Sequence, residues 1–157
     1  MGSDFNLPET DPQVVRQFQK DYLDMNRKGD KEAPHACFRF VWALVHSPDP
    51  AHVERGLDLA QSMIKAGELE QQGLNDLVYL CAVAQYRRGS YQAARTQINE
   101  YLKVSPSSHQ AAELKSAVDD AIVKEGLIGV GVGTGLLTVA AVAIGLLMSK
   151  LSASSNA

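Results

Sequence analysis

The fold is indicated most clearly by residues 78–106, VYLCAVAQYRRGSYQAARTQINEYLKVSP. Apolar residues recur in it at the three- and four-residue spacing of one helix face, on both sides of a break at Gly89. Ala94 is small where two such helices would cross, and Ile98 supplies an apolar side chain one turn later. Pro106 ends the second run, because proline cannot continue a helix. The stretch therefore predicts two antiparallel helices joined by a tight turn.

The same stretch has the spacing of a tetratricopeptide (TPR) helix pair. Its second half follows the repeat pattern, whereas in its first half Val78 replaces the usual tryptophan and Ala82 the usual glycine. Upstream, Gly56-x-x-x-Ala60 matches Ala94-x-x-x-Ile98 at a separation of 38 residues. Because the usual period is about 34 residues, we expect a longer turn over residues 47–50. The alternative is an ordinary helical bundle, since amphipathic helices share these periods.

Outward from this stretch, every segment before the C-terminal apolar run is typical of a helix. Asp11 and Pro12 have the residue types of a helix cap and first position, and Gly29 would end that helix. Both Val14 and Trp42 are assigned to apolar core faces. We predict an all-α, six-helix antiparallel bundle with two TPR-like pairs, followed by a transmembrane helix. The six helices are expected over residues 12–28, 35–46, 51–65, 70–88, 91–104 and 108–124.

The C-terminal region predicts a membrane span. Residues 127–148, LIGVGVGTGLLTVAAVAIGLLM, contain no charge, and a helix of 22 residues is about 33 Å long, enough for a hydrocarbon core of about 30 Å. The alternative is a buried hairpin or helix of the globular domain. We expect a flexible arm over residues 1–10, a cytosolic domain over 11–125, a tail anchor over 126–149 and a short tail over 150–157. No signal peptide is expected, because the N-terminus has neither a basic start nor an apolar run.

Glycines in the span allow several interpretations. The run Gly-Val-Gly-Val-Gly-Thr-Gly from position 129 superficially resembles a dinucleotide-binding loop. Such a loop needs a strand before it and an acidic residue about 20 positions after it, and this sequence has neither signal. The Gly-x-x-x-Gly spacings from Gly129 and Gly131 are typical of close membrane-helix contacts and would permit a homo-oligomer. Alternatively, the glycines only moderate the hydrophobicity of the anchor.

Composition argues against several functional classes. Fifteen Lys and Arg against eighteen Asp and Glu leave a net charge of −3, which is a poor match for nucleic acid. Cys37 and Cys81 are too few for a disulfide framework and lie in apolar runs. The four histidines do not form a metal-binding pattern, and the sequence contains no Gly-x-Ser-x-Gly or phosphate-binding loop. We therefore expect no enzyme activity, no metal and no cofactor.

Four segments together resemble one known family. They are FRFVWALVHS from position 38, ERGLDLAQSMI from 54, VYLCAVAQYRRGSYQAA from 78 and KEGLIGVG from 124. The chain is similar through them to the mitochondrial fission 1 protein family over about residues 14–150. The resemblance implies a tail-anchored adaptor of the outer mitochondrial membrane and of peroxisomes, with a two-TPR domain in the cytosol. It also implies that the chain recruits or regulates dynamin-related GTPases, often through helper proteins. Family members often carry several basic residues after the span, whereas this chain has only Lys150.

The register implied by the resemblance places a partner-binding groove on the first helices of the two units. Its predicted lining consists of Val41, Val45, Tyr79, Val83, Tyr86 and Arg87. Aromatic and arginine side chains commonly anchor interfaces. Alternatively, Tyr79 and Val83 belong to the core, and Arg87 is part of a solvated helix end.

The N-terminal arm contains two large apolar residues, Phe5 and Leu7, at alternate positions. Alternate residues of an extended segment point to the same side, and Pro8 favours an extended Leu7. We expect the arm to cover the groove and to tune partner access, as the resemblance implies; the alternative is a frayed terminus.

A tail-anchored TPR receptor for chaperones or imported precursors is the alternative function. Its carboxylate clamp needs basic and amide residues spread over several repeats, and the adjacent pair Arg87 and Arg88 is too little for one.

Overall fold

A computed structural model describes residues 5–126 of the 157-residue chain, and six α-helices occupy that range. They are α1 (Pro12–Arg27), α2 (Ala33–Val45), α3 (Pro50–Ala66), α4 (Gln71–Arg87), α5 (Tyr91–Val104) and α6 (His109–Lys124). Each boundary lies within two residues of the predicted one. The all-α, TPR-like part of the predicted fold is confirmed.

Local signals explain where the helices begin and end. The side chain of Asp11 accepts a hydrogen bond of 2.7 Å from the backbone N–H of Gln13, and Asp49 caps α3 in the same way. Each cap is followed by a proline, whose missing N–H costs nothing in the first helical turn. Gly29 and Gly67 follow α1 and α3 with φ of +62° and +64°, a conformation that favours glycine.

The helices pack mainly on their neighbours in sequence, and α4 also contacts α2 and α6. Residues 77–85 of α4 are therefore all buried, although a helix with one covered face would alternate. The α2–α3 pair crosses closely at Gly56, where a Cβ atom would lie 2.9 Å from Cγ2 of Val45. The small residue that the repeat spacing predicted at this crossing is thus required by the packing.

Two sequence assignments to the core are wrong. The side chain of Trp42 is 38% exposed and that of Val14 is 37% exposed. The buried aromatic residue of α2 is instead Phe40, which packs with Val15, Ala43 and Leu44 in a cluster between α1, α2 and α3. Because a helix turns about 100° per residue, Trp42 lies about 200° around α2 from Phe40. One helix face cannot hold both rings.

The predicted span over residues 127–148 lies outside the described residues. Within the range 5–126, no helix is both long enough and apolar enough to cross a membrane.

Candidate functional site

The C-terminal ends of α2 and α4 lie side by side at one end of the bundle. Nη2 of Arg87, in the last turn of α4, donates a hydrogen bond of 3.1 Å to the carbonyl oxygen of Ser47, just after α2. The next residue, Arg88, forms an ion pair with Glu54 of α3, with Nε and Oε2 at 2.7 Å. These contacts hold the ends of three helices together.

Five of the six predicted groove residues belong to or pack on one apolar cluster, in which Tyr79 lies against Tyr101 of α5. Val41, Val45, Tyr79 and Val83 belong to one apolar cluster, and Tyr86 packs against its edge. The three valines are completely buried and Tyr79 nearly so, whereas Tyr86 and Arg87 are half-buried. Burial raises the pKa of Tyr79 to about 12, so its hydroxyl stays protonated. The role of these six residues in binding a partner stays a prediction.

The N-terminal arm, residues 5–10, lies against the same cluster. Phe5 and Leu7 are half-buried and pack on it, whereas Asn6 and Pro8 between and beside them are exposed. At the base of the arm, the backbone N–H of Thr10 donates a hydrogen bond of 2.9 Å to the carbonyl oxygen of His46. The arm therefore reaches from the end of α2 to the end of α4.

Three aromatic rings form a row at the tip of the arm. The Phe5 ring meets Tyr86 edge-on, with centroids 5.9 Å apart and planes at 79°. The Tyr86 ring in turn lies 5.6 Å from Tyr91, the first residue of α5. Burial raises the pKa of Tyr86, and the nearby Tyr91 and Asp120 raise it further. We call Phe5, Tyr86 and Tyr91 the aromatic row.

Sequence reasoning missed two residues of this region, Tyr91 and His46. The signal for Tyr91 was its position directly after the Gly89-Ser90 turn, which returns the chain toward Tyr86. His46 is only 2% exposed, and its Nδ1 lies 2.8 Å from the carbonyl oxygen of Trp42, so Nδ1 donates the proton. Burial lowers the pKa of His46, the hydrogen bond opposes this shift, and the Arg87 guanidinium adds to it.

A concave site lies at the opposite end of α2. It is a crevice of about 190 Å³ between α1, α2 and α3, and its walls include Tyr22, Cys37 and Glu68. Burial raises the pKa of Cys37 to about 11, and that of Cys81 to about 12. Neither thiol is an activated nucleophile at neutral pH, since the thiolate is the reactive form. The described part of the chain has no group of three or more His, Cys, Asp or Glu side chains that could hold a metal ion.

Comparison with known proteins identifies one family. The family model described as the Fis1 C-terminal tetratricopeptide repeat matches residues 75–127, and that of the Fis1 N-terminal tetratricopeptide repeat matches residues 35–67. Mitochondrial fission 1 protein B of Arabidopsis thaliana is 34% identical over 144 residues, covering 91% of this chain and 84% of that protein. Mitochondrial fission 1 protein of Mus musculus is 35% identical over 116 residues, covering 72% of this chain and 75% of that protein.

Solved structures show the same fold. The crystal structure of yeast Fis1 in complex with an Mdv1 fragment superposes with a TM-score of 0.66 at 19% identity, covering 80% of this chain and 99% of that chain. The crystal structure of Fis1 from Saccharomyces cerevisiae superposes with a TM-score of 0.64 at 20% identity, covering 77% of this chain and 90% of that chain.

Proposed function

The chain belongs to the mitochondrial fission 1 (Fis1) family, and we propose that it is a non-enzymatic adaptor that recruits or regulates the dynamin-related fission machinery. The proposed site of action is the outer mitochondrial membrane and the peroxisomal membrane. The proposed partners are a dynamin-related GTPase, its helper adaptors, or both. A yeast relative was crystallised with a fragment of another protein, Mdv1, and this supports protein binding as the activity.

The observation that carries the proposal is the half-buried edge at Tyr86, where one short extended segment lies over the main apolar cluster. We propose that partners bind there, in a concave groove lined by Val41, Val45, Tyr79, Val83, Tyr86 and Arg87. Tyr86 and Arg87 would be the anchors, because such side chains bury a large area and still hydrogen-bond. The valines would form the apolar floor that the arm and the partner cover in turn.

The arm is proposed to regulate access to this groove. Within residues 5–10, Phe5 and Leu7 contact the bundle through their side chains, and the backbone N–H of Thr10 is hydrogen-bonded to His46 at the junction with α1. An arm that occupies the groove 90% of the time would weaken the apparent affinity of a partner about tenfold. Regulation of this kind needs no change in the helices themselves.

Residues 126–149 are proposed to cross the bilayer as the anchor. The 22 uncharged residues 127–148 are long enough for one span. Since α6 ends at Lys124, the anchor would follow the helical domain directly. The groove would then be presented to cytosolic proteins at the membrane surface. Close helix contacts through the glycines of the span would allow a homo-oligomer.

The proposal is tested by recruitment in cells that lack the endogenous relative. We expect full-length Tyr86→Ala and Arg87→Ala to bring at least about tenfold less dynamin-related GTPase to mitochondria, because interface anchors typically contribute 2 kcal/mol or more. The matched control is Arg27→Ala, since Arg27 also lies in the last turn of its helix but is exposed on α1. Mitochondria should become elongated with the first two variants only.

Two results would contradict the proposal. One is normal recruitment by both groove variants. The other is loss of recruitment accompanied by a matching loss of thermal stability, which would make these residues structural. If chaperones rather than fission proteins crosslink to the wild-type groove, the receptor alternative replaces the adaptor.

A further inference from the structure

We infer that the groove recognises an extended peptide segment with an aromatic residue followed two positions later by an aliphatic one. Phe5 and Leu7 of the arm are the chain's own substitute for that segment. This inference rests on the proposed function, because it names the chemistry of the partner at the same groove.

The alternation of burial along the arm defines the conformation that the groove accepts. Phe5 and Leu7 both pack on the main cluster, while Asn6 and Pro8 are exposed. In an extended chain, residues two apart point to the same side. In a helix they would be about 200° apart, and only one could face the cluster. The recognised segment is therefore extended, and its middle residue is free to vary.

The aromatic row explains why the first position is a ring. The Phe5 and Tyr86 rings form a T-shaped pair with their planes at 79°, an arrangement in which the positive edge of one ring meets the negative face of the other. The tilted Tyr91 ring backs Tyr86 from α5 at 5.6 Å. An aliphatic side chain at position 5 would keep the apolar contact but lose this electrostatic match.

Side chains rather than backbone groups provide the specificity. The backbone hydrogen bond from Thr10 to His46 lies three residues beyond Leu7, at the junction with α1. A partner that supplies the aromatic and aliphatic pair can thus replace the arm while Thr10 stays in place. Among the described residues 5–10, the apolar side chains that pack on the cluster are Phe5 and Leu7. Because two side chains bury a small area, we expect weak binding by a free peptide.

The test uses the full chain in detergent micelles and a fluorescein-labelled peptide that copies residues 1–9, MGSDFNLPE. The wild-type chain is compared with the double variant Phe5→Ala/Leu7→Ala, whose own arm no longer competes. If the effective concentration of the tethered arm is of the order of 1 mM and its occupancy about 90%, the free peptide should bind the open groove at about 0.1 mM. We expect about tenfold weaker binding to the wild-type chain.

Peptide variants distinguish recognition of this spacing from nonspecific hydrophobic binding. The reordered peptide MGSDFLNPE has the same composition but places its ring and its leucine on opposite sides, and it should bind at least about tenfold more weakly. Replacing Asn6 of the peptide by Ala should change nothing, since that position is exposed. A Tyr86→Ala change in the open double variant should remove binding of the original peptide.

Each contrary outcome has a definite meaning. Equal affinity of the original and reordered peptides, equal binding to the open and wild-type chains, or no binding at millimolar peptide would overturn the inference. The proposed function would survive these results if recruitment in cells still required Tyr86 and Arg87. Conversely, peptide binding without any effect of Tyr86 on recruitment would sustain the peptide chemistry and reject the proposed function.

Discussion

Two aromatic contacts of similar chemistry are covered in different ways. Phe40 is 0% exposed, lies against Tyr22 of α1 with ring centroids 6.2 Å apart, and has the Arg55 guanidinium 5.1 Å from its ring centroid. At the other contact, Phe5 lies against Tyr86, but both rings are half-buried. Helices α1 and α3 close the first contact, whereas a short extended arm closes the second. A ring contact alone therefore does not make a buried core: the pair enclosed by helices is fully buried at Phe40, whereas the pair at the arm stays partly in water.

The largest expected loss of stability comes from the buried contact at Phe40. Phe40→Ala should lower the free energy of unfolding by about 3–5 kcal/mol, because it leaves a cavity between three helices. Trp42→Ala, on the same helix, should cost only about 1–2 kcal/mol, since part of that side chain is already in water. Urea unfolding followed by circular dichroism measures both. Equal losses would mean that the two faces of α2 are equally buried in solution.

The next effect concerns the close crossing within the first repeat unit. Gly56→Ala should destabilise the domain by about 1–3 kcal/mol, because the new Cβ would lie 2.9 Å from Val45 Cγ2 and 3.2 Å from the Val45 backbone nitrogen. The control is Gly73→Ala in α4, where the nearest atoms belong only to the side chain of Leu69. A smaller change in either direction is expected there. Unaltered stability of the Gly56 variant would show that α2 and α3 separate easily.

A smaller loss of stability is expected from substitutions in the N-terminal arm. Phe5→Ala/Leu7→Ala should reduce stability by no more than about 1.4 kcal/mol, which is the whole contribution of an arm docked 90% of the time. Asn6→Ala is the matched control, because its side chain is exposed on the same arm. Thermal melts of the three full-length proteins provide the measurement. A loss as large as that of Phe40→Ala would mean that the arm is part of the core, as Phe40 is.

The smallest expected effect is a pH dependence of stability that arises at His46, whose carbonyl oxygen accepts the hydrogen bond from Thr10. The folded-state pKa of His46 is lowered, so the unfolded chain binds a proton more readily than the folded one. The contribution of His46 to stability is therefore fully present above about pH 6.5 and declines as the pH falls toward the lowered pKa. Melting temperatures between pH 5 and 8 should fall less steeply in His46→Gln. The other three histidines remain in both proteins, so parallel curves would assign no part of the slope to His46.

The part of the site that could be predicted follows from short-range patterns. The packing of Phe5 and Leu7 on one side of the arm could be predicted, because residues two apart in an extended segment point to the same side. Tyr86 and Arg87 were predicted from the register that the family resemblance implies, and their role stays a prediction. The position of Tyr91 beside Tyr86 depended on how tightly the Gly89 turn closes, which no pattern in the sequence measures.

The beginnings and ends of the helices follow from local sequence, because caps such as Asp11 and breaks such as Gly29 act through bonds to residues a few positions away. Which apolar side chains are buried depends instead on tertiary packing. The 3.6-residue period shows that α2 has an apolar face, but that helix has neighbours on several sides and carries both Phe40 and Trp42. The placement of α1 and α3 around Phe40 left Trp42 partly in water, and the arm came to lie over the cluster that contains the groove valines. Burial depends on which distant segments arrive, and that information lies in the packing of the whole chain.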